Sequence, residues 1–270
     1  GVWIVCDGSP SPRIRVCTGT VEKIRCLSLE LANEPGFMLA DDLFTPEAGT
    51  AAQRREWTGW LLYEIAFQWL MCHELSHWLL GHPEFIHRGV QDGTSASAFS
   101  EVSHGATDDG TIGDIDRIEN CCVELQAVSL ALEILDHMHS EPSGSACSIF
   151  HRAGAPLLDP DNRFRNLRTL VVASGLLMLH FDTLRNSDAY PKPATRIFNL
   201  LKMSFAVANR DAIRTGDGAP YLRGSDPETL QAVERSGRET IAYAGVDLGA
   251  ASRLVGTERT FVQYDGESSP

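Results

Sequence analysis

Between Thr50 and Leu80 apolar side chains, among them Trp60, Leu61, Ile65, Phe67, Trp69 and Met71, recur on most faces of a helical repeat. That pattern predicts one long helix covered by the rest of the fold, and so a central one. Gly81 and Pro83 end it, the glycine as a C-cap and the proline as a breaker. Ahead of it, the short β-branched runs Val2 to Val5 and Arg13 to Cys17 are separated by Asp7-Gly8-Ser9-Pro10 and followed by Thr18-Gly19. They predict strands that lead into a helix from about Val21 to Ala32, which Asn33-Glu34-Pro35-Gly36 terminates.

Residues 84 to 114 are rich in Gly, Ser, Thr and Asp and carry little periodicity, which reads as a loop or lid over a cleft. Helical patterning returns from Ile115 to His139 and from about Asn166 to Arg185. Within the second, Leu170 to Phe181 is strongly apolar but well short of the roughly 20 residues that span a bilayer, so it predicts a buried core helix. Asp188 to Pro193 breaks the chain before a helix starting near Thr195. A last helix is predicted from Pro227 to about Ala244, with Asp226 as N-cap. No internal repeat is present, and the pattern reads as one α+β domain over 1–255, mainly helical with a small N-terminal sheet. A polar, acidic tail over 256–270 follows it.

Composition narrows the class. With 43% hydrophobic and 22% charged residues the 270-residue chain can bury a sizeable core. A formal net charge of −13 argues against a nucleic-acid partner, whose phosphates need a basic surface. Seven cysteines without C-x-x-C spacing suit neither a secreted disulfide framework nor a cysteine-rich zinc site, so a reducing cytoplasm is expected. No signal peptide or membrane span is legible. The chain opens at Gly1 on a strand-like run, which leads us to expect further residues upstream, with room there for a regulatory domain or partner.

Inside the central helix stands His73-Glu74-Leu75-Ser76-His77. The spacing stacks both imidazoles on one helical face, where they can share one ion. Glu74 follows the first histidine directly, placed to accept a proton from water without binding the ion itself. Zinc held there would lower the pKa of water to about 7 and polarise a carbonyl, which is amide-hydrolysis chemistry. A chance match on a histidine-bearing helix is the competing reading, and the helical setting weighs against it. Catalytic zinc normally takes three protein ligands. Glu124, in Cys122-Val123-Glu124-Leu125-Gln126-Ala127, is the first candidate for the third, because its predicted helix can pack against the motif helix. Glu119 is the fallback.

The stretch from His73 to His82, followed by Glu124-Leu125-Gln126-Ala127, resembles the gluzincin metallopeptidases of the HtpX and CAAX-protease type. Lit-type phage-exclusion peptidases and the smaller IrrE-like peptidases share its general logic. Arg13 to Val21 looks like the strand-turn-helix those proteins place ahead of the zinc helix. Tyr190-Pro191-Lys192-Pro193-Ala194-Thr195-Arg196-Ile197 is similar to their His-Pro-x-x-x-x-Arg-Ile segment, with Tyr190 in place of His. The resemblance implies a zincin-like fold around the H-E-x-x-H helix and a Zn2+ ion as cofactor. It also implies that Arg196 orients the site and that Tyr190 donates a hydrogen bond to the oxyanion, which a phenol can do. Two departures, Val128 where the family often has Asp and the lack of membrane helices, point to a soluble relative.

Other candidates have blander readings. His82 either hydrogen-bonds near the site or caps the last carbonyls of the helix, and it is left out of the ligand set. His104 lies in the lid-like loop, within reach of a substrate; His87, His137, His139, His151 and His180 read as surface or satisfied core residues. Cys121 and Cys122 are adjacent to the Glu124 segment, where packing is favoured over a redox or ligand role. Trp57, Trp60, Trp69 and Trp78 read as core. The expected function is a zinc endopeptidase acting on a protein substrate held by strand addition, with a regulated bacterial defence or stress protease as its narrower form. The alternative is a non-catalytic metal-binding scaffold in a larger assembly.

Overall fold

The computed structural model describes residues 2–5, 13–44, 46–82, 99–100, 114–140, 163–183, 195–203 and 242–255. Strands β1 (Val2–Val5), β2 (Arg13–Val16) and β3 (Phe99–Ser100) form an antiparallel sheet in the order β2-β1-β3. Val2 faces Val16 and Val5 faces Arg13 across one ladder, while Ile4 faces Phe99 across the other. In β2, Ile14 and Val16 are half-buried against the core while Arg13 and Arg15 are exposed, the alternation a one-sided sheet requires. β3 falls inside the segment expected to be loop, because a two-residue strand is too short to leave a period in the sequence.

Helix α1 (Thr18–Leu31) begins three residues earlier than the sequence suggests. Cys17, in extended backbone, accepts from the amides of Thr20 and Val21, so the turn-type residues Thr18 and Gly19 lie inside the first turn, ahead of the first donors of the helix. Ile24, Leu27, Ser28 and Leu31 form its buried stripe. α1 comes down to backbone contact with the next long helix at Gly59, where an added Cβ would stand 3.0 Å from the Leu29 Cα. The short helix α2 (Leu39–Leu43) and a 3-10 turn over Pro46–Ala48 lie between them.

α3 (Ala51–Leu79) matches the predicted central helix closely. Thr50 is its N-cap in a full capping box: the Thr50 hydroxyl accepts from the Gln53 amide, and the Gln53 side chain accepts from the Thr50 amide. Its C-terminal end closes on Gly81 in the left-handed region, φ 70°. α3 touches α1, α2, β1, β2 and the two long helices that follow, α4 (Asp114–Ser140) and α5 (Arg163–Thr183). Two shorter helices complete the described chain, α6 over 195–203 and α7 over 242–254.

The molecule is therefore mainly helical with a small sheet at its N-terminal side. Leu170 to Leu179 of α5 are buried throughout, as the apolar run predicts, and among the described residues no helix is long and apolar enough to cross a membrane. Of the four tryptophans expected in the core, Trp69 is fully buried, whereas Trp57, Trp60 and Trp78 are half-buried. The predicted helix over 227–244 lies outside the described residues except for 242–244, which belong to α7; the 256–270 tail also lies outside them.

Candidate metal centre

Residues four apart on α3 stand one turn above another, and here that geometry brings the His73 and His77 rings edge to face, centroids 4.7 Å apart. Their Nε2 atoms are separated by 3.2 Å. Trp69, one turn earlier, lies nearly parallel to the His73 ring at 5.0 Å and limits its rotation. The third group comes from α4, whose buried residues Val123, Ala127, Val128 and Ala131 set the face turned inward. Glu124 shares that face. Its Oε2 is 3.6 Å from His73 Nε2 and its Oε1 is 3.5 Å from His77 Nε2.

These three side chains, all buried, each present a ligand atom within 4.8 Å of the others. A tetrahedral ion with bonds of about 2.0 to 2.1 Å holds its donors about 3.4 Å apart. The observed separations of 3.2, 3.5 and 3.6 Å match that spacing. The donor set, two imidazoles and a carboxylate, suits zinc and other first-row divalent ions.

The electrostatics agree with the geometry. Burial pushes the Glu124 carboxyl up, but His73, His77 and the Arg196 guanidinium outweigh it and hold the group well below the usual carboxylate range. Burial pushes His77 well below its ordinary 6.5, so its ring is neutral at physiological pH. An ionised carboxylate and a neutral imidazole are the protonation states a metal demands. Neither oxygen of Glu124 has a hydrogen-bond partner, and its buried charge is offset by the Arg196 guanidinium 3.7 Å from Oε2.

Arg196, buried on α6, reaches Glu124 Oε2 at 3.7 Å, so the residue singled out by resemblance does come to the site. Asn199 on the same helix donates to Ser129 of α4 at 3.2 Å and ties the two helices together. Glu74 is fully buried on α3 between the two histidines in sequence. Tyr190 and His104 lie outside the described residues, and Glu119 is on α4 with its side chain outside them.

Of the two readings offered for His82, hydrogen bonding near the site is the one the structure shows, and among the described residues it caps no helix carbonyl. It is buried, with Nδ1 2.9 Å from His77 Nδ1 and Nε2 3.2 Å from Gln126 Oε1. The signal was Gly81: its left-handed backbone turns the chain back under α3. The packing reading of the cysteine pair fails for Cys122, which is exposed, while Cys121 is half-buried. Compared with protein-family models, curated proteins and solved structures, the chain matches none.

Proposed function

We propose that this chain is a zinc-dependent endopeptidase of zincin-like architecture. The observation that carries the reading is the convergence of His73 and His77 of α3 with Glu124 of α4 in one buried group, with Glu74 buried on the same helix as the histidines. When bound, zinc supplies Lewis acidity toward the scissile carbonyl and acidifies water. Glu74 takes a proton from the attacking water as its oxygen bonds to the carbonyl carbon, then delivers that proton to the nitrogen as the C–N bond breaks. Arg196 neutralises and holds Glu124, and Tyr190 donates a hydrogen bond to the developing oxyanion.

Among the described residues the sheet order leaves β2 and β3 at the edges, and such an edge pairs with an extended peptide, which favours a protein substrate. The acidic chain and the resemblance to phage-exclusion and stress peptidases favour a cytoplasmic, regulated enzyme of bacterial defence. A purely structural zinc site closes its fourth position with protein, whereas three ligand side chains converge among the described residues.

The test is elemental analysis of wild type and Glu74→Gln beside cleavage of host lysate proteins. Both should hold about one zinc per chain. Glu74→Gln should cleave about 10²- to 10⁴-fold more slowly. Zinc in both with equal, absent cleavage would replace the peptidase by a metal-binding scaffold.

A further inference from the structure

We infer that His82 and Gln126 form a tautomer relay that fixes the proton of His77 on Nδ1 and so leaves its Nε2 lone pair for the metal. The relay rests on the metal site proposed above, but the imidazole proton can be read without metal.

The argument runs inward from the surface. Gln126 is exposed on α4, one helical position pair beyond Glu124, and presents Oε1 to His82 Nε2 at 3.2 Å. An amide oxygen only accepts, so His82 Nε2 carries the hydrogen and donates. A neutral imidazole has one N–H, which leaves His82 Nδ1 as an acceptor. That atom faces His77 Nδ1 at 2.9 Å, and His77 Nδ1 therefore donates. The remaining nitrogen of His77, Nε2, is the one 3.2 Å from His73 Nε2 and 3.5 Å from Glu124 Oε1. Both bonds of the relay have one donor and one acceptor, and the Nε2 lone pair of His77 is turned into the ligand group, toward His73 Nε2.

A ligand histidine usually passes its second N–H to a carboxylate, a carbonyl or water, and loss of that partner costs about 10- to 100-fold in metal affinity. Here the partner is a second imidazole, itself oriented by an amide. The arrangement adds no negative charge beside the metal group, and its outer end is open to solvent at Gln126. Gly81 makes it possible, since its φ of 70° returns His82 to the underside of α3.

Gln126→Lys offers only donors to His82 Nε2 and should reverse every bond of the relay, moving the His77 proton to Nε2. Gln126→Glu keeps the acceptor and should preserve the wild-type tautomer. The experiment is 15N NMR of the histidine rings in the full chain stripped of metal, at one fixed pH, with zinc affinity measured by chelator competition. We expect Nδ1–H at His77 in wild type and Gln126→Glu, Nε2–H in Gln126→Lys, and zinc bound about 10- to 100-fold more weakly by Gln126→Lys alone. A His77 tautomer unchanged in Gln126→Lys, or reversed in wild type, overturns the relay. Failure of wild type to bind zinc overturns the peptidase reading instead, and the tautomer result still decides the relay.

Discussion

Two clusters of buried charge flank the core, and they are wired in opposite ways. On α5, Arg168 donates through Nε to Asp247 Oδ2 at 2.8 Å and through Nη1 to Asp42, while the Met38 amide donates to Asp247 Oδ1 at 2.8 Å. Both oxygens of Asp247 thus have donors, and Tyr243 covers the guanidinium at 5.1 Å. At the other cluster neither oxygen of Glu124 has a hydrogen bond: two imidazoles stand 3.5 and 3.6 Å away, and the Arg196 guanidinium 3.7 Å away. Matched donors and acceptors make a clasp, here joining α5 and α7 to the segment that starts α2. Converging acceptors make a place for a cation. Burial alone does not separate the two; donor counting does.

The sharpest way to break this contrast is Glu124→Ala. Zinc should fall from about one per chain to none by elemental analysis, and a chelator should lower the melting temperature of wild type but not of the variant. Next in size, Arg168→Ala leaves Asp247 buried without its ion pair, and urea unfolding should show a loss of about 3–5 kcal/mol. Zinc per folded chain should stay the same. A smaller effect is expected from Arg168→Met combined with Asp247→Leu: apolar replacement of the pair should recover most of that loss, whereas no apolar replacement at Glu124 should restore zinc. The smallest concerns Cys72, beside His73 in sequence but 4.0 Å from the Met138 sulfur rather than in the ligand group. Burial pushes its thiol up to about 11, so at pH 8 roughly one molecule in a thousand is thiolate. Cys72 should resist alkylation until the chain unfolds, by mass spectrometry, and Cys72→Ala should keep its zinc. Rapid labelling in the folded protein would show that it is not sealed in the core.

Much of this was legible in the sequence because long elements repeat their signal. α3 shows itself over eight turns, and its two histidines sit at a spacing that only a helix makes useful. Glu124 was reachable too, since α4 is long and follows the motif. The parts that escaped are short or depend on a single dihedral. β3 and α2 have too few residues for a period. For His82 hydrogen bonding near the site was legible as one of two readings, but its partners His77 and Gln126 were not, because they depend on where the chain goes after Gly81. The Arg168 cluster joins residues 126 and 79 positions apart, pairings that no local pattern encodes.

The metal group also bears on chain entropy. His77 and Glu124 bound to one ion would clip shut the segment from residue 78 to 123. Closing such a loop costs free energy that grows only with the logarithm of its length, so doubling the number of residues adds about 0.6 kcal/mol. Insertions in that segment are therefore thermodynamically cheap once both ends are clamped. The stretch between α3 and α4 is thus a place where added residues would leave His77 and Glu124 within reach of one ion.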